Sequence, residues 1–122
     1  MPEIFNRCQE IRKQIPDHVT IVAAAKTRTP DEINQAVDAG INIIGENYVQ
    51  EAEEVIEILN GIAQWHMIGH LQRNKAKKAV ELFDMIETLD SMRLARAVDK
   101  RCAGIDKIMP VLVEINSGRE TN

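Results

Sequence analysis

Along the chain, continuously apolar runs alternate with stretches in which apolar residues recur every three or four positions. Ile4, Cys8, Ile11 and Ile15 share one helical face, and Pro16 closes that segment, so the chain opens with a helix. "TIVAAAK", from Thr20 to Lys26, has no polar alternation and predicts a strand buried on both faces. In "TPDEINQAVDAG", Thr29 is placed as an N-cap, Pro30 as first helical residue, Glu32 as partner in a capping box and Gly40 as terminator.

The same order then repeats. "INIIGE" reads as a strand, and "NYVQEAEEVIEILNG" as a helix with Val49, Ala52, Val55, Ile56 and Leu59 on its apolar stripe and Gly61 at its end. "AQWHMIG" is the third strand, followed by a helix whose inner face is Ala76, Ala79, Val80 and Phe83. "DMIETL" is the fourth; Ser91 caps a helix carrying Leu94, Val98 and Cys102 inward, with Gly104 as its stop, and "IMPVLVEIN" is the fifth strand. Strand starts near residues 20, 41, 64, 85 and 109 recur about every 21–24 residues, the spacing of βα units with parallel strands. Five such units after a leading helix fit either an open doubly wound sheet or part of a (β/α)8 barrel of the TIM type.

In both architectures chemistry gathers past the carboxyl ends of the strands. Those ends carry Lys26, then Glu46 and Asn47, Gly69 and His70, Thr88 and Asp90, and finally Asn116 and Ser117. No glycine-rich dinucleotide fingerprint follows the first strand and no phosphate-binding loop of the Walker type occurs, which removes most support for a nucleotide site. Lys26 is open to a bland reading as a solvating end group. The sharper reading is an amine partly desolvated at a sheet mouth, with its ammonium form disfavoured and its lone pair available to attack a carbonyl. Such a lysine forms Schiff bases, either with pyridoxal phosphate or with a carbonyl substrate of the aldolase kind.

Composition sets the outer limits. The chain has 122 residues, 44% hydrophobic and 28% charged, which suits one domain with a modest core. Its formal charge of -4 argues against a nucleic-acid backbone as partner. No apolar run reaches the roughly 20 residues of a membrane span and the first ten residues hold no signal-peptide core, so a cytoplasmic location is expected. Cys8 and Cys102 are expected to be reduced thiols on helix faces.

"VAAAKTRTPDEI", "GINIIGENYVQEA", "WHMIGHLQRNKAK" and "LVEINSGRETN" together resemble successive motifs of the pyridoxal-phosphate homeostasis proteins, single-domain relatives of the barrel half of alanine racemase. The resemblance runs through nearly the whole chain and implies the barrel architecture. It implies that Lys26 holds pyridoxal 5′-phosphate as a Schiff base, that Asn47 lines the cofactor's face, and that His66 and Ile68 of the third strand point toward its ring. A hydrogen-bonded structural role is favoured for His66, no catalytic role is given to His70, and Tyr48 is assigned to packing. Arg73, Lys75, Lys77 and Lys78 read as a solvated basic face, with anion attraction as the alternative.

Members of that family are longer. The resemblance places their phosphate cup and the arginine partner of the pyridine nitrogen in later βα units, so residues 1–122 are expected to be one partial barrel domain, the N-terminal part. Its outer strands would be open edges, and self-association or pairing with a complementing C-terminal half is expected. The function implied is a carrier or buffer of pyridoxal phosphate in vitamin B6 and amino-acid homeostasis, with little or no turnover. The alternatives are a racemase-like enzyme in which Lys26 moves the α-proton, and a fragment that no longer binds the cofactor.

Overall fold

The computed structural model describes residues 3–116. Helix α1 (Glu3–Gln14) precedes strand β1 (Ala23–Ala24), α2 (Pro30–Asp38), β2 (Ile43–Glu46), α3 (Val49–Ile58), β3 (Gln64–Met67), a 3-10 turn (Arg73–Lys75) running into α4 (Ala76–Leu82), β4 (Met85–Leu89), α5 (Met92–Gly104) and β5 (Val111–Val113). The strands lie in sequence order and every neighbouring pair is parallel. Ser117, expected at the end of the fifth strand, lies outside the described residues.

The helix starts follow their capping chemistry. The Thr29 side chain accepts the Glu32 N–H at 3.2 Å while Glu32 accepts the Thr29 N–H at 2.9 Å, and the second of these bonds holds the Glu32 carboxyl below its ordinary pKa. Ser91 accepts the Leu94 N–H at 3.1 Å. Gly40 (φ 100°) and Gly61 (φ 82°) take the left-handed positions that end α2 and follow α3. Gly104 does not; it is the last residue of α5, and Asp106 (φ 52°) makes the left-handed turn instead. Lys107 then reaches back to donate to the carbonyls of Val80 and Phe83 at 2.6 and 2.8 Å, satisfying the open end of α4.

The core lies between the sheet and its helices. Ile44, Trp65, Met67 and Ile86 from the strands meet Ala52, Val55, Ala79, Val80, Leu94 and Val98 from the helices, with Phe83 fully buried where α4 ends. Each large apolar side chain buried in this way contributes roughly 1.5–3 kcal/mol. Cys102 belongs to this core, Cys8 is half-buried on α1, and both are free thiols; burial raises the Cys8 pKa.

Two strands differ from expectation. β1 is two residues long rather than a buried run from Thr20; Thr20 is exposed and Val22 only half-buried. β5 is also short, with Val113 and Ile115 exposed. Among the described residues each has a ladder partner on one side alone, so neither gains the coverage that full burial of an apolar strand requires.

Candidate functional site

The register of the ladder sets the levels of the site. Ala24 pairs with Gly45, Gly45 with His66, and His66 with Met85. Past the ladder, Ile68 follows β3 with its N–H on the Glu46 carbonyl at 2.9 Å, Asn47 follows β2, and Lys26 follows β1 in a turn two residues after the paired Ala24, so the three gather at the carboxyl ends, with His66 below them at the level of Gly45. Strand alternation gives the other face to the core: Ala25, Ile44, Trp65 and Met67 point to the helices. On the face away from them, a Cβ on Gly45 would press against Ile68 and Val22, so the glycine is the space into which Ile68 packs.

Lys26 sits in a turn closed by the Arg28 N–H donating to the Ala25 carbonyl at 3.0 Å, while the Ala25 N–H donates to Gly45 at 2.9 Å. The residue after the lysine, Thr27, has φ 64°, a left-handed conformation that a β-branched side chain adopts at a cost on the order of 1–2 kcal/mol. Its N–H donates to Glu51 Oε1 at 2.9 Å, from the first turn of α3. The Lys26 amine lies 5.6 Å from the centroid of the Tyr48 ring, a cation–π separation.

Two expectations are corrected here. Lys26 is exposed rather than partly desolvated, because the edge position of β1 leaves its level without a wall on one side among the described residues. Tyr48 is not a packing residue; it is 53% exposed at the N-cap position of α3, with its ring under the lysine amine.

His66 is buried, and its Nδ1 lies 2.8 Å from Glu87 Oε2 on β4, a hydrogen-bonded role of the kind favoured for it. His70 is exposed at the rim, where its Nδ1 lies 3.3 Å from Asp90 Oδ2. Thr88 is buried and donates to the Gly69 carbonyl at 2.7 Å. A Cβ on Gly69 would strike the Asn47 carbonyl and approach its Cα to 2.8 Å, so glycine lets the end of β3 lie against the backbone of Asn47. Of the basic cluster, Lys78 pairs with Glu53 at 2.8 Å, and Arg73, Lys75 and Lys77 are exposed.

Glu46 stands apart. It is 1% exposed, neither of its carboxylate oxygens has a hydrogen-bond partner, and burial followed by the charge of Glu51 pushes its pKa up to about 7. Its place at a strand end was legible in the sequence. Its orphaned burial was not, and neither were Glu51 and Glu87, whose partners Thr27 and His66 lie 24 and 21 residues away along the chain.

The residues at this level suit a flat aldehyde-bearing cofactor in part. An accessible primary amine, the half-buried amide side chain of Asn47 and the aliphatic Ile68 provide an attachment point, a polar group and an apolar contact.

Comparison with known proteins places this arrangement. The pyridoxal phosphate homeostasis protein of Escherichia coli strain K12 is 38% identical over 112 residues, covering 88% of this chain and 47% of that protein. The structure of PipY from Synechococcus elongatus PCC7942 with pyridoxal phosphate bound superposes with a TM-score of 0.92 at 33% identity, covering 98% of this chain and 57% of PipY. An alanine racemase from Clostridium difficile 630, in complex with cycloserine, shares the fold at a TM-score of 0.75 and 12% identity, covering 94% of this chain and 31% of the racemase. The chain thus spans about half the length of the homeostasis proteins it matches, and its parallel βα units form an incomplete barrel of their kind. The family described as alanine racemase, N-terminal domain, matches residues 2–120, and the chain belongs to that family.

Proposed function

We propose that this chain is a pyridoxal 5′-phosphate-binding protein of vitamin B6 and amino-acid homeostasis that holds the cofactor as a Schiff base on Lys26, with little or no turnover. The observation that carries this reading is the accessible Lys26 amine at the carboxyl end of β1, gathered with Asn47 and Ile68 above His66. When bound, the cofactor supplies an aldehyde carbon that condenses with a primary amine and releases water. Lys26 would provide that amine, and Asn47, Ile68 and His66, the last held by Glu87, would line the cofactor. The similarity to PipY with pyridoxal phosphate bound and to the homeostasis proteins supports the same assignment.

A racemase-like enzyme is the weaker reading. Proton transfer through two faces needs a second base across from the lysine. Tyr48 is the one tyrosine of the chain, and its ring lies against the Lys26 amine rather than across a substrate from it.

Residues 1–122 act as one partial barrel domain in this reading. Its open edges, the apolar groove between α1 and β1 lined by Ile4, Cys8, Ile11 and Val22 and the exposed Leu112, Val113 and Ile115 at β5, take a second copy or a complementing C-terminal half. No helix among the described residues is long and apolar enough to cross a membrane, and the reading places the protein in the cytoplasm. A monodisperse monomer at high concentration in analytical ultracentrifugation overturns the self-association.

The cofactor assignment is tested by intact mass after incubation with pyridoxal phosphate and borohydride reduction. One adduct that disappears in Lys26→Ala is expected. No adduct, or equal scattered labelling of parent and variant, overturns it.

A further inference from the structure

Three contacts from residues 45–51 converge on the turn that carries Lys26. The Gly45 carbonyl accepts the Ala25 N–H at 2.9 Å, the Tyr48 ring underlies the lysine amine, and Glu51 Oε1 accepts the Thr27 N–H at 2.9 Å. The first fixes the strand, the second contacts the lysine's amine, and the third holds the backbone of its turn. Thr27 is held at φ 64°, where a β-branched residue does not rest unaided. Released, it would return to negative φ, rotating the Lys26–Thr27 peptide and re-aiming the lysine side chain. What prevents this is a carboxylate on α3, a helix anchored in the core by Ala52 and Val55.

Resting on the cofactor assignment above, we propose that Glu51 is a positioning residue for Lys26, holding its turn in the geometry from which the amine meets an aldehyde, with the Tyr48 ring steadying the amine. A different role is built into the same place: a carboxylate in the first turn of a helix stabilises it through the dipole alone. The two are separable. Positioning needs an acceptor atom for the Thr27 N–H and survives Glu51→Gln, whose amide oxygen accepts that bond; dipole stabilisation needs the charge and does not.

The experiment compares the parent with Glu51→Ala, Glu51→Gln, Tyr48→Phe and Tyr48→Leu, all as the full 122-residue chain. Exchange of the Thr27 amide proton is read by NMR without cofactor, and capture of pyridoxal phosphate at Lys26 is read by titration and borohydride trapping. Glu51→Ala is expected to accelerate Thr27 exchange and weaken capture, each about tenfold, and Glu51→Gln to stay within about twofold of the parent. Tyr48→Leu is expected to weaken capture about threefold with Thr27 exchange unchanged, and Tyr48→Phe, which keeps the ring, to match the parent. The proposal is overturned by a Thr27 amide indifferent to Glu51→Ala, by Glu51→Gln behaving as Glu51→Ala, or by exchange that accelerates while capture holds. A parent that takes no adduct overturns the cofactor assignment instead, whereas the Thr27 exchange decides the clamp whatever the parent binds.

Discussion

The backbone amide of Thr27 donates to the carboxylate of Glu51 at 2.9 Å, joining the residue after the first strand's lysine to the first turn of the helix that follows the second strand. The bond offsets the left-handed φ of 64° at a β-branched residue. Thr27→Gly removes the steric cost and is expected to stabilise the chain by about 0.5–1 kcal/mol, since relief of the left-handed strain exceeds the added entropy of the unfolded glycine. Urea denaturation checks this; a loss of stability would mean that the threonine side chain makes a contribution larger than its strain.

Glu46 makes stability depend on pH near neutrality. Its folded-state pKa of about 7 lies above the ordinary 4.5, so the folded chain binds this proton more tightly than the unfolded chain does. Its contribution is fully present below pH 4.5 and is lost as pH rises through about 7. The loss over that window is on the order of 3 kcal/mol. Glu46→Gln is expected to match the parent at pH 4 and to exceed it at pH 8, with thermal melts across the range as the measurement; parallel pH profiles would show that the buried carboxyl does not titrate there.

Glu87 holds His66 on the face of the sheet that also carries the site level, at 2.8 Å from Nδ1. Removing the acceptor leaves a buried ring nitrogen without its partner, a loss of about 1–2 kcal/mol. Glu87→Ala is therefore expected to lower the urea midpoint and Glu87→Gln to restore most of it, because the amide oxygen still accepts from the ring. Equal losses in the two variants would assign the effect to charge.

Gly69 tolerates no side chain without movement of Asn47. A Cβ there meets the Asn47 backbone, held between the end of β2 and the start of α3, rather than the end of a flexible side chain. Gly69→Ala is expected to destabilise the chain by on the order of 2–3 kcal/mol and to shift the Asn47 amide resonance in NMR spectra. An unchanged Asn47 resonance with full stability would mean that the end of β3 is free to yield.

Much of the architecture is legible from one dimension because its signals are local. The capping box at Thr29 and Glu32, the N-cap at Ser91 and the stripes of α3 and α5 are encoded within a few residues of the atoms they satisfy. Misreadings occur where the deciding partner is remote. The apolar run from Thr20 reads as a fully buried strand, yet β1 is two residues long and, among the described residues, is paired on one side alone. Tyr48 is assigned to packing when read along the chain, because its neighbour Asn47 is taken to face the site, whereas the fold brings its ring beside the amine of Lys26, 22 positions earlier.

By itself the sequence determined that βα units recur, that their strands are parallel, and that Lys26, Asn47, His66 and Ile68 fall at or near strand ends, since apolar period and turn chemistry are properties of neighbouring residues. The tertiary structure alone decided which of those ends gather, that Lys26 is exposed, that Glu46 is buried without a partner, and that Glu51 and Glu87 serve Thr27 and His66. Each of these depends on the register between strands and on which side of the sheet a neighbour covers, and both are set by packing across the sheet and not by the order of residues along any one strand.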